Sequence, residues 1–298
     1  MSQLLYYLFL KPLSMLPLSV LYRLSDAMYW LVFRLAGYRR SVVWSNLRRA
    51  FPDKPEAELK QIMSDFYRHF FDLIVEILKL FSISEQELVS HCRLANEELL
   101  QREFDKGRGV FIVAGHYNNW EFAAQSACAQ MAHLAVGIYS PIKNPFFNRK
   151  FHESRSAFGM ELVSARSVKD YFNSLLGRSR PPATMFGADQ APSNPARAYW
   201  TYFLGIETPV FFGPEQYARE YDQAVVFGHI RKLSRGHYEM AFTEVTTTPA
   251  EEPYGVITQR HLRLLEADIL QAPQYWLWTH KRWKRQRPAD VPLHEAMG

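Results

Sequence analysis

Val110-Phe-Ile-Val-Ala114-Gly115-His116-Tyr117-Asn118-Asn119-Trp120-Glu121 runs from five apolar residues through a glycine-led polar segment into a helical pattern. A short uninterrupted apolar run rich in β-branched and aromatic residues reads as a strand buried on both faces. Trp120–Met131 reads as the helix that follows it. Outward from this unit the alternation continues: strand Leu134–Tyr139, helix Pro145–Phe158, strand Glu161–Val163, helix Val168–Leu176 and strand Ala183–Ala188. Strands separated by helical segments of this length require crossover connections, which predicts an α/β fold with a largely parallel central sheet flanked by helices. Ala224–Ile230 and His237–Val245 read as an added antiparallel pair. Upstream, Asp53-Lys-Pro-Glu56 reads as a capping box opening a helix with the stripe Ile62, Phe66, Phe70, Leu73, Ile77 and Phe81, and Ser84-x-x-Glu87 opens another. The Pro-rich points Pro181-Pro182 and Ala191–Pro195 look like loop entries, and neither an internal repeat nor a Gly/Ser linker divides the chain.

The chain has 298 residues, 48% hydrophobic and 22% charged, a globular balance that argues against disorder and against a polytopic membrane protein. Thirty-five Lys+Arg against thirty Asp+Glu give a net charge of +5, which suits an anionic membrane surface, an acidic partner or nucleic acid equally. Cys92 and Cys128 are too few for a disulfide framework or zinc cluster and point to reduced thiols in a cytosolic compartment. Met1–Leu35 is rich in Leu, Tyr, Phe and Trp but broken by Lys11, Pro12, Pro17, Arg23, Asp26 and Arg34, so no uncharged run approaches the roughly 18 to 20 residues of a spanning helix. With no signal-peptide pattern either, the reading is an interfacial segment whose apolar blocks enter a leaflet while Arg34, Arg39, Arg40, Arg48 and Arg49 meet anionic headgroups. The competing reading is a helical hairpin packed on the body. The expected organisation is a membrane-associating segment over residues 1–40 and a single α/β domain over 41–298.

A Gly-x-Ser-x-Gly elbow, a phosphate-binding Gly-x4-Gly-Lys-Ser/Thr, a complete Gly-x-Gly-x-x-Gly and a His-Glu-x-x-His are all missing from the sequence, which lowers serine hydrolase, P-loop, dinucleotide-dependent and zincin readings. What remains is His116, placed where a buried strand ends, the position at which open α/β sheets form ligand crevices. A His with a carboxylate partner makes a general base: the carboxylate fixes the tautomer while the other ring nitrogen takes a proton. Glu121 is the nearest candidate partner. With no Ser or Cys in the motif, the proton would come from a substrate hydroxyl, which suits direct acyl transfer. The plainer alternative is that His116 caps the helix and Glu121 faces water. A second His-x4-Glu, His261 and Glu266, lies inside the helical stretch Val256–Leu270 and reads as a solvated pair on one face.

The stretch Gly115–Glu121 resembles the Gly-His-x-Gly-Asn-Trp-Glu signature of the lipid A biosynthesis acyltransferases, the late lauroyl/myristoyl transferase family that also includes phosphatidylinositol mannoside acyltransferases. The similarity extends through Arg40-Ser-Val-Val-Trp-Ser-Asn-Leu47 with Phe51-Pro52, Tyr139-x-Pro-x-x-Asn-Pro145, Gly187-Ala-Asp-Gln190, Phe203-Leu-Gly205 with Thr208-Pro209, and Trp276-Leu-Trp-Thr-His280-Lys-Arg-Trp283-Lys. The resemblance implies a glycerolipid-acyltransferase-like fold, a cytoplasmic-face location at the inner membrane of the cell, and a place in lipopolysaccharide synthesis. It implies His116 and Glu121 as catalytic, with Arg155 matching the family arginine that would face the oxyanion; Arg149 and Arg166 are its competitors. Asn118, Asn119, Asp189 and Gln190 are the candidate substrate-binding residues, Asp189 being read as positioning an arginine or the acceptor, with stabilisation of the turn as its alternative role. Two departures stand out: Asn118 replaces the usual glycine, a residue that tolerates left-handed backbone, and Ser140 replaces the arginine of Tyr-Arg-Pro.

Trp200, Phe203, Phe211 and Phe212 are candidates to line an acyl pocket. The run His280–Arg287, with Trp276, Trp278 and Trp283, reads as a surface for anionic lipid or an acidic carrier protein, with no nucleic-acid role. No cofactor or metal is expected, since the acyl thioester of acyl carrier protein or coenzyme A is a co-substrate. The leading reading is a membrane-associated O-acyltransferase acting on a lipid A precursor or a related lipid. A lysophospholipid or another glycolipid is the alternative acceptor, and a catalytically silent peripheral membrane protein is the alternative class.

Overall fold

The computed structural model describes residues 1–175 and 179–295. The chain begins with α1 (Ser2–Leu5) and α2 (Lys11–Ser14), joined by a π-helical turn at Tyr6–Leu10, and α3 (Leu18–Met28), continued by a second π-helical stretch at Tyr29–Ala36. Then come α4 (Arg40–Ala50), α5 (Glu56–Lys79), α6 (Glu85–His91), β1 (Cys92–Ala95), α7 (Glu98–Asp105) and β2 (Val110–Ala114). The βα units that follow are α8 (Trp120–Gln130), β3 (Leu134–Tyr139), α9 (Pro145–Arg155), β4 (Glu161–Ser164), α10 (Val168–Ser174) and β5 (Pro182–Gly187). The C-terminal part holds β6 (Tyr199–Phe203), β7 (Ile206–Val210), α11 (Gly213–Tyr221), β8 (Ala224–Ser234), β9 (His237–Thr246), α12 (Val256–Gln271) and β10 (Leu293–His294).

Seven strands form one sheet in the order β1-β9-β8-β2-β5-β3-β4, and every pairing in it is parallel except β8 with β9. The expected α/β architecture, including the antiparallel pair, is therefore what the chain adopts. β2 lies in the middle, and its alternate residues feed two cores: Phe111 and Val113 join the cluster with α5, α11 and α12, while Val110 and Ile112 join the one with α8. Residues with both faces covered in this way read as an unbroken apolar run. β6, β7 and β10 make a separate three-stranded sheet that the sequence pattern did not suggest.

Two expectations change in detail. α5 starts after Pro55 with no side-chain cap, so the Asp53 capping box does not form, whereas the Ser84 hydroxyl does accept from the Glu87 N–H at 3.2 Å. The Leu176 end of the expected helix Val168–Leu176, and the side chain of Arg34, lie outside the described residues. His261 and Glu266 are not a solvated pair: both are buried, and Glu266 accepts from the Leu204 N–H and binds Arg263 at 3.0 Å. Residues five apart on an α-helix are rotated by about 140° from each other, so they cannot share a face.

The N-terminal helices fold as a hairpin bent by 118° that packs on α5. Leu18 and Leu21 bury against Val75, Ser25 donates to Asp72 at 2.7 Å, and the Tyr22 hydroxyl donates to Glu76 at 2.8 Å. Arg235, at the β8–β9 turn, clamps the arrangement by binding both Asp26 (2.7 Å) and Asp72 (2.6 Å). Away from that contact the hairpin exposes large apolar residues, with Leu4 63%, Leu8 63% and Phe9 58% exposed. Among the described residues no single helix is long and apolar enough to cross a membrane.

Candidate active site

β2 and β5 are parallel neighbours with Ala114 opposite Gly187. Two residues beyond each of these, past the carboxyl ends of the strands, stand His116 and Asp189. His116 Nδ1 lies 2.6 Å from Asp189 Oδ1, and the His116 backbone N–H donates to Asp189 Oδ2 at 2.9 Å. The indole N–H of Trp276 donates to the same Oδ2 at 2.7 Å. Trp276 is brought there because residues 275–277 run alongside the segment after β2, with Asn118 N–H donating to Tyr275 O and Leu277 N–H to His116 O. Gly187 is needed beneath the ring: a Cβ there would come within 2.9 Å of His116 Cε1.

The electrostatics follow from this contact. Burial raises the Asp189 pKa, but the imidazole beside it and the three N–H donors more than offset that, and the group is pulled down to about 2. For His116 burial disfavours the charged form, yet the Asp189 charge and hydrogen bond outweigh it and hold the pKa above its ordinary value. With Nδ1–H committed to Asp189, Nε2 is the basic nitrogen, and it accepts from the Gln190 amide N–H at 3.1 Å, a bond that an incoming hydroxyl would have to replace.

The orienting carboxylate is thus Asp189 and not Glu121. Glu121 lies on the first turn of α8 and pairs with Arg155 on α9, the Arg155 Nε donating to Oε2 at 3.0 Å and Nη2 to Oε1. The break between His116 and Glu121 is backbone: Asn118 adopts the left-handed φ of 52° expected of it and turns the chain before α8 begins. Its side chain is buried and donates to Ile230 O at 2.7 Å. Asn119 caps α8 by accepting from the Phe122 N–H at 2.9 Å and donates to the buried Glu76 at 2.7 Å. Asn118 and Asn119 therefore shape the turn rather than face the crevice, while Gln190 does face it.

His116, Glu121, Arg155 and Gln190 share the wall of one cavity of about 550 Å³ that continues inward between α8 and the sheet, lined by Ile112, Met185 and Met240. Of the candidate pocket aromatics, Phe211 lines it. Trp200 and Phe203 are instead fully buried elsewhere, and Phe212 stacks on Tyr199 at 5.3 Å. Ser140 lines the rim in place of the arginine. Arg149 is exposed beside Glu153 and Arg166 is exposed, so Arg155 is the arginine brought to the cavity. The aromatic half of the C-terminal run is not a surface: Trp276, Trp278, Trp283 and Arg282 are buried, and the Trp283 and Trp278 indoles donate to Thr208 (2.8 Å) and Pro273 (2.6 Å). Trp276 is the site residue that sequence reasoning missed; it was visible only as part of an apparently interfacial motif. Among the described residues no group of His, Cys, Asp or Glu is arranged to hold a metal ion.

A histidine–aspartate pair at the carboxyl edge of a parallel sheet, with an arginine–carboxylate pair across a narrow apolar cavity, is an arrangement suited to transferring a group that carries a long hydrocarbon. The family described as bacterial lipid A biosynthesis acyltransferase matches residues 1–285, and the chain belongs to it; it is an acyltransferase. It is similar to the lipid A biosynthesis lauroyltransferase of Escherichia coli (strain K12), 20% identical over 278 residues covering 93% of this chain and 89% of that protein. A lipid A biosynthesis acyltransferase of Haemophilus influenzae is 20% identical over 282 residues, 93% of this chain and 88% of its own. The Escherichia coli lipid A biosynthesis palmitoleoyltransferase is 19% identical over 260 residues, 86% of this chain and 82% of its own.

Proposed function

We propose that this acyltransferase moves a fatty acyl chain from a thioester, of acyl carrier protein or coenzyme A, to a hydroxyl of a lipid A precursor, with His116 as general base. The observation that carries the reading is the 2.6 Å contact of Asp189 with His116 Nδ1, which leaves Nε2 basic and turned to a cavity of apolar length. The acceptor O–H gives its proton to Nε2 as its oxygen attacks the thioester carbonyl. Negative charge gathers on the carbonyl oxygen, where the Arg155 N–H groups not used by Glu121 stabilise it. Collapse of the tetrahedral intermediate breaks the C–S bond, and the imidazolium returns the proton to the departing thiolate. The reaction needs no cofactor, and Glu121 acts by holding Arg155 in place. The acceptor class rests on the names of the relatives above.

Residues 1–40 are the membrane-associating segment in this proposal and 41–298 the catalytic α/β domain. The exposed apolar residues of the hairpin support attachment to a membrane surface, where anionic lipid would meet the basic residues that follow it; the cytoplasmic face of the inner membrane is the location the family implies. The test is transfer of a labelled acyl group by the purified full chain, in detergent or in anionic vesicles, to a lipid A precursor. Wild type is expected to yield the acylated lipid and His116→Ala none above background. A His116→Ala protein that works at the wild-type rate would overturn the assignment, and recovery of the full chain in the soluble fraction after lysis would overturn the location.

A further inference from the structure

Gln125 lies on α8 four residues after Glu121, so it lines the same cavity about 6 Å further along the helix, at about 1.5 Å per residue. The helix runs away from the crevice, which puts Gln125 on the stretch where the first few methylenes of a bound acyl chain would lie. It is 1% exposed, and neither its amide oxygen nor its amide nitrogen has a hydrogen-bond partner among the described residues. The same cavity is lined by the apolar side chains of Ile112, Met160, Leu162, Met185 and Met240. A plain acyl chain would be better served by leucine there, because a buried amide with both ends unpaired forfeits the hydrogen bonds it made to water.

We propose that Gln125 is a specificity-determining residue that recognises a hydroxyl carried by the acyl chain close to its thioester end, making a hydroxyacyl thioester the preferred donor. Once the Gln125 side chain turns toward the cavity, a hydroxyl matches the two orphan atoms at once, donating its proton to the amide oxygen while its oxygen accepts from the amide N–H. A keto oxygen only accepts and would leave the amide oxygen unpaired; a methylene satisfies neither. The inference rests on the acyl-transfer reading, and it adds the class of donor to it.

The experiment compares two thioesters of equal chain length, one unsubstituted and one hydroxylated near the carbonyl, with the wild-type chain and with Gln125→Leu. Wild type is expected to favour the hydroxylated donor in kcat/KM by about tenfold to a hundredfold, the range for a buried polar group left unpaired by the wrong substrate. Gln125→Leu is expected to bring that ratio to about one or below while keeping or raising activity on the plain chain. Equal use of both donors by wild type, or a preference that survives in Gln125→Leu, would overturn the proposal, and transfer of the plain chain would still leave the acyltransfer reading standing. The free hydroxy acid and plain acid, compared by the shift each causes in Tm, read the pocket without turnover. A greater shift by the hydroxy acid, lost in Gln125→Leu, supports the pocket assignment even if no transfer is seen; equal shifts overturn it.

Discussion

Asp189→Asn is the substitution that tests the proposed mechanism most directly. The carboxylate accepts three hydrogen bonds, two at Oδ2 from the His116 backbone and Trp276, and one at Oδ1 from the imidazole. Asparagine has one acceptor oxygen. Placed at the Oδ2 position it keeps two of the three bonds, whereas the flipped amide would set its NH2 against two N–H donors, so the first orientation wins. The NH2 then faces Nδ1, which must accept, and the imidazole proton moves to Nε2. The base has lost its lone pair on the side of the acceptor. The same tautomer error in serine proteases costs roughly ten-thousand-fold in turnover, and here a loss of about 10³ to 10⁴ is expected, or about 4 to 5.5 kcal/mol at 1.36 kcal/mol per decade. Single-turnover acyl transfer measures it, with circular dichroism confirming an intact fold. The pH profile supplies a second reading. The base form of His116 accumulates as pH rises through a pKa held above 6.5, so wild-type activity should climb with a midpoint above that value. In Asp189→Asn the burial that lowers the pKa stays while the raising charge is gone, and any residual activity should climb at lower pH. An Asp189→Asn enzyme within tenfold of wild type, with an unmoved midpoint, would refute the pairing.

Arg155→Ala should lower kcat by roughly a hundredfold or more with little change in donor KM, because the charge it stabilises is absent from the ground-state thioester; a rise in KM alone would make it a binding residue. Gly187→Ala puts a methyl group 2.9 Å from His116 Cε1, so the ring must move, and a loss of about tenfold to a hundredfold in kcat is expected with Tm nearly unchanged. Unchanged kcat there would mean that the ring position is not critical. Arg235→Ala removes the clamp on buried Asp72 and should cost roughly 1 to 3 kcal/mol, read as a Tm several degrees lower and faster proteolysis at the turn around Met15–Pro17; a wild-type Tm would show that Ser25 and Lys232, whose ammonium lies 3.7 Å from the same carboxylate, suffice to hold Asp72.

The parts of the fold governed by local pattern were legible in the sequence. Val110–Ala114 could only be a buried strand, and the spacing of Leu134–Tyr139, Glu161–Val163 and Ala183–Ala188 required crossovers, so the parallel sheet followed. The second sheet was missed for two reasons: Trp200 and Phe203 were read as pocket lining although Tyr199–Phe203 and Ile206–Val210 form a local hairpin across Leu204-Gly205, and β10 comes from more than eighty residues away. The N-terminal segment folds as the helical hairpin packed on the body, which was one of the two readings offered for it. One face packs on α5, and large apolar residues away from that contact remain exposed; the sequence carried the hydrophobicity but not which residues Asp72 and Glu76 would hold down. The C-terminal tryptophans misled because an aromatic beside a cation has the same local signature in a core as at an interface. Only the partners of their indole N–H groups tell the two apart.

The identity of the carboxylate beside His116 shows where local reading stops. His116 and Glu121 are close in sequence, and spacing invites pairing them, yet residues five apart pair only if the backbone between them permits it. Here the left-handed turn at Asn118 and the Asn119 cap send α8 off toward Arg155, and Glu121 goes with it. Asp189 is 73 residues away along the chain, but β2 and β5 are hydrogen-bonded neighbours in register, so the second residue past each strand end must fall beside the other. Strand order, not sequence distance, supplies the partner. The same topology explains why the pair sits at the mouth of the cavity: parallel neighbours deliver their carboxyl ends to one edge, and there the crossover helix α8 departs from the sheet and leaves a gap. A histidine at the end of one central strand and an acid two residues past the end of its neighbour is therefore the pattern to seek in a sequence of this fold, ahead of any acid within the same motif.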